Sequence, residues 1–163
     1  MKKRVYIETS IVSYLVARPS RDLVAAAHQQ ITVQWWDQRR ADFALICSQL
    51  VIDEAARGDV HAAARRLEIL AGIPMVVIDE SAQDLAAKLL QHGALPSKAA
   101  ADALHIAIAT LADADFLLTW NCTHIANAEK LPLISQAVTG AGLRLPVICT
   151  PESLLGADHG HYH

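Results

Sequence analysis

Short apolar runs alternate along this chain with longer stretches in which apolar residues return every three or four positions. Residues 5–7, 43–47, 75–78, 115–119 and 146–149 have the length and content of strands. Helical spacing fills the intervals: residues 10–16, then 21–40 beyond a break at Pro19, then a segment opened by Ser48 and ended by Gly58. Further helices are predicted from Asp59 or Val60 to Ala71, with Gly72 as the stop, and from Glu80 to His92. After Gly93 and Pro96, Ser97 is placed to cap a helix containing Asp102, and a last helix runs from Asn127 to about Ala141. Strands separated by helices predict an α/β domain around a mostly parallel sheet of about five strands.

Composition narrows this picture. A chain of 163 residues with 53% hydrophobic and 19% charged residues can bury a substantial core as one domain, here expected over residues 1–155. Residues 156–163, which hold three of the eight histidines, are expected to form a flexible tail and receive no function. No apolar run approaches the roughly 20 residues of a membrane helix, and Glu8 interrupts the N-terminal apolar run too early for a signal peptide. The cytoplasm is therefore the expected location, with no membrane partner. Cys47, Cys122 and Cys149 form no CxxC pair and read as reduced thiols, two of them in core strands. The net charge of −3 argues against a broad basic footprint for nucleic acid, although a metal ion and local arginines could supply positive charge. Arg18 and Arg21, Arg39 and Arg40, and Arg65 and Arg66 read as solvated surface pairs.

The candidate chemistry lies in the acids. Asp102 occupies a helix that is apolar on nearly every side, which predicts burial and hence a need for a partner, a cation or a proton. Glu8 follows the first strand directly, with the hydroxyls of Thr9 and Ser10 beside it; it could equally be an acid at the start of the next helix, favoured by the dipole. After the second strand, helical spacing sends Glu54 to the apolar face and Asp53 outward, where Arg57 at i+4 could pair with it. No base shares the Glu54 face. Asn121 sits where the chain leaves the fourth strand, as a turn former or a site residue. His105, three residues after Asp102 on the same helical face, could bond Asp102, touch a phosphate or fill the core. Motifs for dinucleotides, for a P-loop and for a nucleophile elbow are absent.

Strand-Glu8-Thr9-Ser10, the inward Glu54, Asp102 in an apolar helix and Leu-Leu-Thr-Trp-Asn121 resemble, in order and spacing, the PIN domain, and more narrowly a VapC-type toxin. The resemblance covers nearly the whole chain. It implies a three-layer α/β/α sandwich and a magnesium- or manganese-dependent endoribonuclease acting on RNA. It also implies a cognate antitoxin protein and commonly a homodimer. Glu8, Glu54, Asp102 and Asn121 match the four catalytic positions in turn. Glu8 stands where Asp is more usual, and Asn121 where Asp is frequent.

Oxygen-only donors suit magnesium or manganese rather than zinc. On this reading Glu8, Glu54 and Asp102 hold metal, Asn121 meets a bound water or phosphate, and Thr9, His105 and Thr119 are auxiliary. A weakened PIN-like module that binds RNA or protein is the alternative, and a structural acid cluster tied to an arginine is a third. Trp35 and Trp36 on the long second helix are candidates to line an antitoxin groove between helices, or to be core.

Overall fold

The computed structural model describes residues 1–156. Apart from Gly156, the expected tail lies outside the described residues. Five parallel strands, β1 (Lys3–Ile7), β2 (Phe43–Ser48), β3 (Met75–Val76), β4 (Phe116–Leu118) and β5 (Val147–Cys149), stand in the order β3-β2-β1-β4-β5. The helices are α1 (Thr9–Val16), α2 (Leu23–Arg39), α3 (Gln49–Ala55), α4 (Val60–Leu70), α5 (Glu80–Gln91), α6 (Ala100–Leu111) and α7 (Leu131–Gly140). The connections through α1–α4 step one way from β1, to β2 and then β3. Those through α5–α7 step the other way, to β4 and β5. Right-handed crossovers running in opposite directions place their helices on opposite faces, which gives the three layers. Accordingly α1 packs on α2, α3 and α4, while α5 packs on α6 and α7.

The core is built where the apolar runs cross the sheet. Val5, Tyr6 and Ile7 of β1, Leu117 and Leu118 of β4, and Ile106 and Ala107 of α6 are fully enclosed. Five helices are capped by the side chain that precedes them: Glu8, Asp22, Ser48, Asp59 and Asp79 each accept from a first-turn N–H. Gly58, at φ +85°, ends the α3 segment in the left-handed region, as its sequence position predicts.

Several expectations are corrected. Ser97 opens a short 3₁₀ turn, Ser97–Ala99, and α6 starts at Ala100 with no side-chain cap. The last helix starts at Leu131, because Pro132 fits only its first turn and the preceding residues form turns. β3 is two residues long, since it pairs only with Cys47 and Ser48. Arg66 is not a solvated charge: its Nε donates to Ala55 O at 2.9 Å and fastens α4 to the end of α3. Asp53 is exposed as expected, but its hydrogen-bond partner is Gln49 Nε2 at 2.8 Å rather than Arg57. Trp35 is fully buried against Phe43, so it is core and lines no groove, while half-buried Trp36 lies under Arg40. The cysteines are free: Cys47 is buried, Cys149 half-buried and Cys122 exposed, and burial pushes the thiols of Cys47 and Cys149 up to about 11. No helix among the described residues is long and apolar enough to cross a membrane.

Candidate metal centre

The chain leaves β1 toward β2 on one side, and enters β4 on the other. The carboxyl ends of β1 and β4 are thus a topological switch point, where ligands of open α/β sheets bind. Glu8 lies at this place. Its main chain is still tied to β4 through Glu8 N–H to Leu118 O at 3.1 Å. Its side chain is buried and caps α1, with Oε1 accepting from Ser10 N at 3.2 Å. The same oxygen accepts from the Ser10 hydroxyl and from Thr119 Oγ1, the latter at 2.6 Å. Glu8 thus stands at the end of β1 and caps α1 from the position before its first turn, rather than within that turn.

Glu54 reaches the same space from α3. Its Oε1 accepts from Thr9 Oγ1 and from His105 Nε2, both at 2.6 Å. Burial by itself raises the Glu54 carboxyl, but the hydrogen bond and positive character of His105, then Thr9 and the more distant Arg57, outweigh it and hold the group below the usual carboxylate range. Glu54 is therefore ionised at neutral pH and can only accept, so His105 Nε2 carries a proton. Behind it, His105 Nδ1 lies 2.9 Å from Tyr6 Oη, and Tyr6 Oη lies 2.8 Å from Ser48 Oγ. Burial, above all, pushes the Tyr6 phenol far up, so Tyr6 keeps its proton. The three contacts form one relay, from Ser48 Oγ through Tyr6 Oη and the His105 ring to Glu54 Oε1. The imidazole is fully enclosed and both of its nitrogens are occupied.

Glu8, Glu54 and His105 offer donor atoms that lie within 4.8 Å of one another. The chemistry of this set favours the two carboxylates as cation ligands. Every protein donor falls on Oε1 of Glu8 and Oε1 of Glu54, which leaves each Oε2 without a protein partner among the described residues. His105 would have to break a bond to Glu54 or Tyr6 before ligating, so its role is to orient Glu54. A divalent cation fits a pair of anchored carboxylates that, among the described residues, lack a lysine or arginine within ion-pair distance.

The remaining predicted residues are distributed around this pair. Asp102 lies in the first turn of α6, one turn before His105, and is half-exposed. It does not belong to the three-residue group, and the burial expected of it is corrected: α6 is apolar all round, but its first turn emerges at the sheet edge. Asn121 forms the turn after β4. Its Oδ1 accepts from His124 N at 3.1 Å, and its N–H donates to Thr119 Oγ1 at 2.9 Å. Thr119, fully buried, thereby links Asn121 to Glu8. Three participants were not singled out from sequence: Tyr6, Ser48 as more than a cap, and Ser10 as a direct donor to Glu8. Strand alternation carried a signal for Tyr6, since residues two apart share a face and Glu8 is two positions on.

An aromatic cluster borders the centre. Trp120 follows Thr119, and its N–H donates to Ser10 Oγ at 2.8 Å. Its ring stacks on His28 with centroids 4.0 Å apart, Tyr14 meets both edge-on, and Trp120 Nε1 donates to Thr32 Oγ1 at 2.7 Å.

Among solved structures, the chain is similar to one in the crystal structure of VapBC2 from Rickettsia felis bound to a DNA fragment from their promoter. The TM-score is 0.58 at 13% identity, over 90% of this chain and 98% of that one, a likeness of fold. No curated protein matches it. The PIN domain family matches residues 5–121, which include Glu8, Glu54, Asp102 and Asn121, and the chain belongs to that family.

Proposed function

We propose that this chain is a magnesium- or manganese-dependent endoribonuclease and the toxin of a toxin–antitoxin pair. The observation that carries the reading is the pair of carboxylates, Glu8 and Glu54, each fixed through one oxygen by hydroxyl, backbone or imidazole donors and open at the other. Mutual repulsion of such acids is a cost that stability alone does not explain, whereas a bound cation relieves it. Oxygen ligands, with both imidazole nitrogens engaged, favour magnesium or manganese over zinc.

The ion would supply charge neutralisation at the phosphate and activation of water at neutral pH. Glu8 and Glu54 would hold it, with Asp102 as a further carboxylate from the first turn of α6. His105 and Thr9 hold Glu54 in its rotamer; Ser10 and Thr119 do the same for Glu8. Asn121 Oδ1 is engaged by its own turn, so its side-chain amide N–H₂ is the part that can donate to a phosphate oxygen or a water.

The partner reading rests on a separate surface. A groove of about 460 Å³ between α1 and α2 is lined by Tyr14, Leu15, Pro19 and Val33 among others. Leu23, Val24 and Val33 of α2 are exposed there or nearby along the helix. An amphipathic helix of a small antitoxin fits such a groove, and the shared fold with a VapBC2 chain supports that choice over a second copy of this chain.

The test is cleavage of single-stranded RNA with manganese or magnesium, by the wild-type chain and by the Asp102→Asn and Glu54→Gln variants. Metal-dependent cleavage by the wild-type chain, lost in both variants, supports the reading. RNA left intact across several sequences and both metals overturns it; metal-independent RNA binding without product would favour the binding-module alternative.

A further inference from the structure

We infer that a second groove, between the turn that opens α6 and the turn that opens α7, binds a phosphate of the RNA backbone, with Lys98 and Lys130 as its cations. This rests on the ribonuclease reading and adds to it a site for the substrate outside the acidic centre. The groove encloses about 540 Å³ and is lined by Lys98, Lys130, His124, Thr123 and Pro96 among others. No carboxylate among the described residues lines it, although acids outnumber lysines and arginines 17 to 14 in the chain.

Three features point to an anion. The two lysines come from elements 32 positions apart in sequence, and neither ammonium has a hydrogen bond or ion pair among the described residues. Convergent unpaired ammonium groups raise the local potential and concentrate phosphate. His124 lines the same groove, and its Nδ1 is shut off from solvent with no protein partner. An orphaned nitrogen of this kind calls for a water or a ligand. Thr123 contributes a hydroxyl.

The groove is tied to the acids by continuous bonding. His124 N donates to Asn121 Oδ1, Asn121 N donates to Thr119 Oγ1, and Thr119 Oγ1 donates to Glu8 Oε1. On its other wall, Lys98 lies in the 3₁₀ turn Ser97–Ala99 that leads into α6, four residues before Asp102. A strand whose scissile phosphate lies at Glu8 and Glu54 can therefore place a neighbouring phosphate between the two lysines. Lysine ammonium groups act as point charges on the backbone, so the contribution is independent of sequence.

The test measures binding of a fluorescent 12-nucleotide single-stranded RNA, with manganese present, in the Asp102→Asn chain, where cleavage is blocked. Affinity is followed against salt, with and without Lys98→Gln and Lys130→Gln. Each lost phosphate contact should flatten the log–log salt slope by about 0.7, hence by about 1.4 for both. In the otherwise wild-type chain the same pair should raise KM and leave kcat unchanged. Arg144→Gln, at the opposite end of the sheet, is the control and should change neither. Unaltered affinity and slope in the double lysine variant, with its melting temperature preserved, overturn the groove while leaving the ribonuclease intact. Weakened binding of a polyglutamate peptide with unaltered RNA binding also overturns it, in favour of an acidic protein partner. A wild-type chain that neither binds nor cleaves RNA fails the ribonuclease reading itself, and the groove with it.

Discussion

The two ends of the sheet treat charge in opposite ways. At the amino end, Asp115 accepts from Arg4 N at 2.8 Å, Asp115 N donates to Arg4 O at 2.9 Å, and the Arg4 guanidinium donates to Ala112 O. Asp113 meets Arg144 nearby at 3.3 Å. At the carboxyl end, Glu8 and Glu54 converge on hydroxyl, backbone and imidazole donors, with no lysine or arginine in an ion pair with them among the described residues, and Asp102, in the first turn of α6, has no protein partner among those residues. One end gives each of these acids a backbone or arginine partner and serves the fold. The other accumulates negative charge at a place where burial makes it expensive, and holds it in fixed rotamers. That arrangement fits the cation site proposed above, beyond the capping that Glu8 gives α1.

Substitutions at the two ends should therefore separate activity from stability. The largest effect on cleavage is expected for Glu54→Gln, whose loss should exceed the roughly 10–100-fold typical of residues that merely support a metal ligand. Circular dichroism should show the variant folded. Asp115→Ala should do the reverse: cleavage per folded molecule is kept, while denaturant unfolding shows a loss of about 1–3 kcal/mol from the unpaired Arg4 N–H.

Next in size is the relay behind Glu54. Tyr6→Phe removes the donor to His105 Nδ1 without changing the core volume much. It should lower cleavage by about 10-fold, within the range for supporting residues. The effect should fall on metal affinity, read as a shifted manganese dependence that saturating metal restores. A purely structural defect would not be restored.

A smaller effect concerns acid stability. Because the folded carboxyl of Glu54 titrates below its ordinary value of about 4.3, the unfolded chain binds more protons there. Its contribution is complete above that ordinary value and is lost as pH falls through the folded one. Melting temperature should thus drop on acidification below about pH 5, and the drop should be shallower in Glu54→Gln. The smallest effect is expected at the exposed pair: Asp113→Asn, which tolerates φ +54°, should change stability by less than about 0.5 kcal/mol.

Much of this was legible in the sequence because it rests on local periodicity. The apolar runs gave the strands, and helical spacing alone sent Glu54 inward and Asp53 outward. Partners far apart in sequence were not legible. Nothing in a helix that follows β2 says that a histidine 51 positions later will reach Glu54, nor that Tyr6 will stand behind that histidine. Asp102 shows the limit of composition: an apolar helix is buried along most of its length, yet its first turn surfaces where the strands end. Trp35 shows the opposite limit, since a tryptophan pair on one helix does not reveal which ring faces the core. The lysine groove needed the fold as well, because the turns that open α6 and α7 line one groove only through the return of the chain along β4.

The cation site is tested most directly by calorimetric titration of manganese into the wild-type, Glu54→Gln and Asp115→Ala chains without RNA. The account predicts saturable binding in the wild-type chain, lost or greatly weakened in Glu54→Gln and unchanged in Asp115→Ala. Equal binding by Glu54→Gln, or none by the wild-type chain, would contradict it.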